Sequence, residues 1–522
     1  MDAKFLFFTG ALLFVSAANA ATYYASPYGA ADAACTEDSP GTLELAVSKA
    51  AQAGDVVKLA AGEYERLESS LVLNVEGITV EGASNDAAQT IIKGPGDAKT
   101  FTGVVVKKAA VMKNLTISGF YATAGGSAVA GGNNSATKAD VLTAVNCRIV
   151  GNVSSSPAVY GGTWIDCCFA SNTNLTSDGG AAFAGTYYGC LFTDNYAKGN
   201  AGAVHSANVA ERCTFVRNES SHVYGGGAVR SGVLRDCIFN ANKGKCGGAG
   251  SSGTYYNCFF TNNIATRSDG LGGGALYEAT TASNCVFIAN ESKYNGGACY
   301  KGKCFDCRFK GNSAGYDGGA VYLTTVIGCY IESNHGRIGS GSCNSVATNC
   351  VYSANSPKSG FTDAGVAAHS GVAVNCLFTG NDSLTHAQST VSSVKCFNCT
   401  IAGNKTASSQ GGIRGGSSIN TIIFDNTKDI VSGAHTNALY ATLSGASELV
   451  DCIQTQNAKF NAGRDASLPY YYLCQNSPAR NAGIDIGWTN KSRDLRGKKR
   501  LVGAVDLGCY EYQAGSFALI VR

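Results

Sequence analysis

Apolar positions in this chain come in short bursts, three-residue runs such as Leu191-Phe192-Thr193 and Ile238-Phe239-Asn240, each soon closed by Asn, Gly or Ser. No stretch of ten or more residues within a repeat carries helical spacing, which predicts strand, turn, strand, turn. The bursts share one pattern, Cys-x-(Phe/Ile/Tyr)-x-x-Asn. Its cysteines are Cys147, Cys167, Cys190, Cys213, Cys237, Cys258, Cys285, Cys307, Cys329, Cys350, Cys376 and Cys399, spaced 20 to 27 residues apart. A further copy, Thr421-Ile422-Ile423-Phe424-Asp425-Asn426, lacks the cysteine. Such a period marks a solenoid, whose units bury their apolar faces only when neighbours stack on them. About 23 residues per repeat with two or three short strands is the turn of a parallel β-helix.

Alternation assigns the faces. In Cys-x-Phe the first and third residues point inward together. Between copies lies a second signature, as in Gly226-Gly227-Ala228-Val229-Arg230, Gly273-Gly274-Ala275-Leu276-Tyr277, Gly296-Gly297-Ala298-Cys299-Tyr300 and Gly318-Gly319-Ala320-Val321-Tyr322. Its fourth position is apolar or glycine and is expected inside, which turns the fifth outward. The paired glycines are expected to supply positive φ or a close backbone approach at a corner. The asparagines closing each burst, among them Asn172, Asn195, Asn218, Asn242, Asn263, Asn290 and Asn312, are expected in a left-handed turn, with amide stacked on amide from rung to rung.

Four segments follow. Residues 1–20 read as a secretory signal, with Lys4 ahead of the apolar run Phe5-Leu6-Phe7-Phe8 to Val15 and the small-residue box Ala18-Asn19-Ala20. Residues 21–140 carry an N-terminal cap and the first rungs. Here Thr42 to Ala53 has helical spacing, with Thr42 as N-cap and Gly54 beyond its end. Residues 141–430 are the repeat coil, and 431–522 the last rungs and a C-terminal cap. No later stretch has eighteen consecutive apolar residues, so no transmembrane helix is expected in the mature chain.

Composition narrows the chemistry. With 15% charged residues and a net charge of +3, and without a basic block, nucleic acid is excluded as a partner. Twenty-two cysteines in an exported chain would ordinarily mean disulfides. Aligned on successive rungs, however, their side chains point the same way about 4.8 Å apart, whereas a disulfide joins facing Cβ atoms about 3.8 Å apart. A buried column of free thiols acting as small hydrophobes ranks ahead of bridged pairs and of metal ligation.

The order Ser26-Pro27, capping helix, Gly54-Asp55-Val56-Val57, Gly62-Glu63-Tyr64, Ile78-Thr79-Val80-Glu81-Gly82 and Thr90-Ile91-Ile92-Lys93-Gly94 resembles the start of pectate-lyase-like right-handed β-helices over residues 22–120. Across 146–426, the Gly-Gly-Ala-(Ile/Leu/Val) and Phe-x-x-Asn words resemble the repeats of chlamydial polymorphic outer-membrane proteins, which implies a surface adhesin. About a hundred residues follow the last repeat, so display through a fused autotransporter barrel is not expected. The stretches Asn476-Ser477-Pro478-Ala479, Asp494-Leu495-Arg496-Gly497 and Val505-Asp506-Leu507-Gly508-Cys509-Tyr510 are similar to the C-terminal signature of choice-of-anchor Q surface proteins. They are expected to close the last rung, with Asp494, Arg496, Arg500, Asp506 and Glu511 forming a structural charged lattice.

The fold class expected is all-β, a right-handed single-stranded parallel β-helix of about sixteen rungs with an N-terminal capping helix. Two outward stripes are candidate binding surfaces. One is His205, Arg230, Tyr277, Tyr300 and Tyr322, whose stacked rings would offer flat faces to sugar rings. The other is the middle residue of Cys-x-Phe, namely Leu191, Ile238, Phe259, Val286, Tyr330, Val351 and Leu377, apolar enough for a covering loop, a partner or self-association. No catalytic residue, metal or cofactor is assigned. The aspartates Asp178, Asp269 and Asp317, and Asp166, Asp236 and Asp306, are expected to cap turns, and the six histidines to be ordinary surface residues. The favoured function is a secreted or cell-surface adhesin binding a glycan or host-surface ligand. A polysaccharide lyase or glycoside hydrolase and a self-assembling surface-layer component are the alternatives.

Overall fold

The computed structural model describes residues 20–131, 141–358, 364–384, 386, 388–407, 410–461 and 471–513. The signal segment before Ala20 and the apolar tail Phe517 to Arg522 lie outside them. The chain is a right-handed parallel β-solenoid of about 15 turns, close to the sixteen expected. Among the described residues every strand pair is parallel except Phe460–Asn461 with Tyr472–Leu473. No helix among the described residues is long and apolar enough to cross a membrane.

One turn shows the design. Ala182–Phe183 and Thr186–Tyr188 lie on one sheet, Leu191–Thr193 on a second and Tyr196–Ala197 on a third. Left-handed residues make the bends: Ala184 (φ 58°), Gly189 (64°) and Asp194 (56°). The next turn repeats these bends at Ser206, Arg212 and Arg217.

Inside, the expected columns form. Phe169, Phe192, Phe215, Phe239, Phe260, Phe287 and Phe309 stack with ring centroids 4.6 to 4.9 Å apart, near-parallel, as the rung repeat dictates. The cysteine column is buried and unbridged. Each thiol typically points at the carbonyl two residues back, as Cys237 Sγ does at Arg235 O (3.2 Å). The aligned sulfurs therefore act as small apolar groups, each with a weak hydrogen bond of its own.

The asparagines also form a buried column, but their backbone corrects the expectation. The left-handed residue is the one before each asparagine, such as Ser171, Asp194, Arg217 and Ala241. Bending one residue early lets that residue's side chain leave for solvent while the amide turns in. Asn242 shows the pattern. Its Nδ2 donates to Asn263 Oδ1 (3.0 Å) and Phe215 O (2.9 Å), and its Oδ1 accepts from Asn218 N (2.9 Å) and Nδ2 (3.0 Å). No polar atom of the amide is left over, as burial requires.

The glycine pair divides its two expected tasks. The first glycine has positive φ at Gly179, Gly273, Gly296 and Gly318. The second is a close approach: a Cβ on Gly274 would lie 1.9 Å from Gly297 O, and one on Gly248 2.0 Å from Gly274 O.

Helix α1 (Leu43–Lys49) starts where Thr42 Oγ1 accepts from Leu45 N (3.2 Å) and buries Leu43 and Ala46 over the first turns. It is shorter than its apolar spacing suggests. The Asp55 carboxylate accepts from Gln52 N (2.9 Å) and Ala21 N (2.8 Å), drawing residues 51–54 into a turn.

At the other end residues 505–510 form no strand and do not close the last rung. They lie across the outside of the last turns, where Leu507 and Gly508 meet Ile422, Cys509 N donates to Thr400 Oγ1 (3.1 Å), and Tyr510 packs on Leu377. The outward positions here are Leu377, Ile422 and Leu439, whose apolar surface needs a cover rather than another rung. Of the expected charged lattice, Asp494 and Arg496 pair within this cap (3.3 Å), while Arg500 donates to the Asp506 and Gly508 carbonyls. Asp494 Oδ2 accepts from Glu511 N, and Asp506 Oδ1 from Asn481 N.

Candidate functional site

Following each Gly-Gly-Ala, the fourth residue points inward and the fifth outward, and a left-handed residue then bends the sheet. Because every turn repeats this, the fifth residues align in register. Tyr160 pairs with Phe183, Phe183 with His205, His205 with Arg230, Arg230 with Ser251, Ser251 with Tyr277, Tyr277 with Tyr300 and Tyr300 with Tyr322. The column continues through Cys343 and His369.

Two stacked runs divide it. Phe183 and His205 stack with centroids 4.9 Å apart, Tyr160 lies 5.2 Å from Phe183 with its ring tilted by 33°, and Tyr277, Tyr300 and Tyr322 stack with centroids 5.5 Å apart. Arg230 and Ser251 fill the interval. The stacks correct one expectation. Tyr277 and Tyr300 are only 7% and 5% exposed, packed with Cys246 and Leu271 in a small cluster of their own outside the main core. Their faces are taken by each other, so what the stripe presents outward is ring edges, hydroxyls and the charged interval. Asn344 Nδ2 donates to one of those hydroxyls, on Tyr322 (3.3 Å).

Two recesses open along the column, one at its aromatic start and one at the interval. One, of about 260 Å³, is lined by Ser156, Pro157, Tyr160, Ser177, Asp178 and Phe183. The other, also about 260 Å³, is lined by His222, Tyr224, Arg230, Ser251, Tyr277 and Glu278. Over the second stands Tyr224 with the Arg267 guanidinium 5.0 Å above its ring, and Arg267 is in turn paired with Asp269. Further along, Tyr294 stacks on Tyr316 (4.2 Å), which carries Arg337 over its ring (4.4 Å), and Arg337 pairs with Asp317 (3.2 Å).

Asp178 and His205 meet here, although the histidines form no close motif along the chain. His205 Nε2 lies 3.3 Å from Asp178 Oδ2, whose other oxygen accepts from Asn200 N (2.6 Å) and Nδ2 (2.9 Å). On its far side, His205 Nδ1 is 2.9 Å from Ser206 Oγ. Burial lowers the imidazole's pKa from its ordinary value; Asp178 opposes this and Arg230 adds to it. A second histidine also departs from the surface reading: His435 is 1% exposed and hydrogen-bonded to Ser418 (2.8 Å). The other aspartates behave as turn residues, with Asp166, Asp236 and Asp306 at φ 52 to 54°.

Sequence reasoning missed Tyr160, Tyr224 and Arg267. Tyr160 had a signal, its position 23 residues before Phe183, but its turn lacks the glycine pair. Tyr224 and Arg267 belong to connections of irregular length, where no spacing predicts which side chains return to the stripe. Among the described residues, no three His, Cys, Asp or Glu side chains converge as a metal site requires.

The second stripe runs along the outer face of the cysteine sheet. Phe259 is 50% exposed and Tyr330 54%, beside Leu191 and Ile238, and a recess of about 500 Å³ opens between Arg308, Tyr330, Glu332 and Val351. Leu377, in the same column, is covered to 4% by the C-terminal cap, which corrects its assignment as an outward binding position.

No known family model matches the chain, and no curated protein matches it. Solved structures do. A tailspike protein of bacteriophage CBA120 is 12% identical with a TM-score of 0.26, the match covering 85% of this chain and 64% of the tailspike. A mannuronic-acid-specific polysaccharide family 6 lyase from human gut microbiota is 12% identical, with 82% and 83% covered and a TM-score of 0.29. A pectate lyase is 11% identical, with 94% and 96% covered and a TM-score of 0.21.

Proposed function

We propose that this protein is an exported, cell-surface or secreted β-solenoid that binds an extended glycan along the stripe from Tyr160 to Tyr322. The single observation that carries the reading is the in-register column itself, with one recess at its Tyr160–Phe183 end and another at the charged interval. Its groups advance about 4.8 Å per turn, so an elongated polymer lying along the coil meets a new hydrogen-bonding edge at each step. Ring edges, hydroxyls, Arg230 and Glu278 suit a ligand rich in hydroxyl groups, and Tyr224 offers a ring to the apolar face of a sugar. The leader-like residues 1–20 and the likeness of the repeats to surface adhesins support export and an adhesive role.

Cleavage of the chain by paired carboxylates fits the stripe poorly. Asp178 and Glu278 belong to turns four steps apart, roughly 19 Å at the rung spacing. Glycosidic cleavage uses carboxylates about 5 to 9.5 Å apart. A second reading, assembly with other copies through the outer cysteine face, is favoured by the exposed Phe259 and Tyr330 in line with the cap-covered Leu377.

The test is binding of the purified protein to an array of immobilised polysaccharides. Retention that falls at least about tenfold in Arg230→Ala and Tyr224→Ala is expected. Binding to no polysaccharide, together with concentration-dependent association lost in Phe259→Ser, would replace this reading by the second.

A further inference from the structure

Beside the first recess, the consecutive residues His205 and Ser206 and, one turn earlier, Asp178 lie in a line. Ser206 Oγ lies 2.9 Å from His205 Nδ1, His205 Nε2 lies 3.3 Å from Asp178 Oδ2, and Asn200 fixes the other carboxylate oxygen through two donors. Hydroxyl, imidazole and anchored carboxylate in that order are a nucleophile, its base and the group that orients the base, an arrangement recognised by roles rather than sequence order. Phe183 stacks on the imidazole and holds its plane. The line is reachable: the side chains of His205 and Asp178 are 15% and 35% exposed, and Asp178 lines the first recess. Ser206 has one further contact, Ser231 Oγ at 3.4 Å.

The pair Ser418–His435 has the same Oγ to Nδ1 contact, at 2.8 Å. It differs in what matters: His435 is 1% exposed and its Nε2 has no hydrogen-bond partner among the described residues.

We propose that Ser206, His205 and Asp178 hydrolyse O-acyl esters carried by the glycan bound on the stripe. The substrate class rests on the glycan-binding reading; the chemistry of the three residues does not. Ser206 Oγ attacks the acyl carbon as its proton passes to His205 Nδ1. The bond from acyl carbon to sugar oxygen breaks, and that oxygen leaves with the proton from Nδ1. Water then attacks the acyl-serine, giving its proton to Nδ1, and the Ser206 oxygen recovers it as the carboxylic acid departs. The Asp178 carboxylate, 3.3 Å from Nε2, favours the proton on that nitrogen and so keeps Nδ1 the basic one, and Arg230 on the next turn places positive charge beside the developing oxyanion.

Two assays on the full protein test this. The first follows hydrolysis of p-nitrophenyl acetate and acetate release from acetylated xylan; the second maps by mass spectrometry the serine labelled by an alkyl fluorophosphonate. Turnover and a label on Ser206, with Ser418 unlabelled, are expected. Ser206→Ala is expected to lose the label and at least about 100-fold in turnover, and Asp178→Asn to lose turnover while still folding. Alanine suits the position, since Ala184 holds the same bend one turn earlier at φ 58°. Absence of turnover and label, or a label on another serine, overturns the proposal. Turnover of p-nitrophenyl acetate without glycan binding keeps the ester site and removes the glycan reading. Glycan binding without turnover does the reverse.

Discussion

Two columns run along this coil with one residue per turn, and they are built on opposite rules. The asparagine column from Asn152 to Asn426 is the same residue at every step, buried or nearly so, each amide joined to the next. The stripe from Tyr160 to Tyr322 changes residue at five of its seven steps and keeps an edge in solvent. An inward position meets the same surroundings each turn, so one residue solves it every time. An outward position is not bound by that demand, and its variety reflects what it faces.

The comparison is best broken from the inside. Asn242→Ala removes two acceptor contacts from Asn218 N and Nδ2, and both donors stay buried. At about 1–3 kcal/mol per stranded group, a loss of about 4 kcal/mol is expected. Denaturant unfolding, with protease cuts appearing near residue 242, would measure it. Stability within error of the parent would mean the column is decorative.

Gly274→Ala, in the glycine corner, comes next. Its Cβ meets the Gly297 carbonyl at 1.9 Å, so the turns must part locally, at about 3 kcal/mol in the same assay.

Acid separates the columns, since only the stripe titrates. The His205 pKa is lowered on folding, so between that value and its ordinary 6.5 the unfolded chain binds the extra proton. Its stability contribution is therefore whole above 6.5 and is lost as pH falls through the folded value. Asp178 faces one nitrogen and opposes the loss, while Arg230 and the stacked Phe183 add to it. Melting temperatures between pH 8 and pH 4 should fall further for the parent than for His205→Gln.

The smallest effect on stability is expected from Arg230→Ala, within about 0.5 kcal/mol as for an ordinary surface change, while glycan retention drops. Should this variant unfold the coil, the stripe would be structural after all.

Much of the interior was legible from the chain. Cys190, Phe192 and Asn195 each sit at a fixed offset in a repeat, and alternation alone turns the first two inward. The bend before Asn195 was misplaced by one residue, because sequence shows which residue tolerates a left-handed turn but not which must turn its side chain in. Alternation points Tyr277 and Tyr300 away from the main core, yet their burial depends on Leu271 and Cys246 returning over them from connections of irregular length.

What the sequence determined by itself is the coil: its period, its inward columns and the place of its stripes, since a solenoid's energetics are those of one turn on the next. What only the tertiary structure decided is which outward groups meet. Asp178 and His205 are 27 residues apart, and Leu377 and Tyr510 are 133 apart. Each pair is joined by register and by the path of a loop or cap rather than by a repeated spacing, so the candidate chemistry lies where the repeat stops dictating the residue.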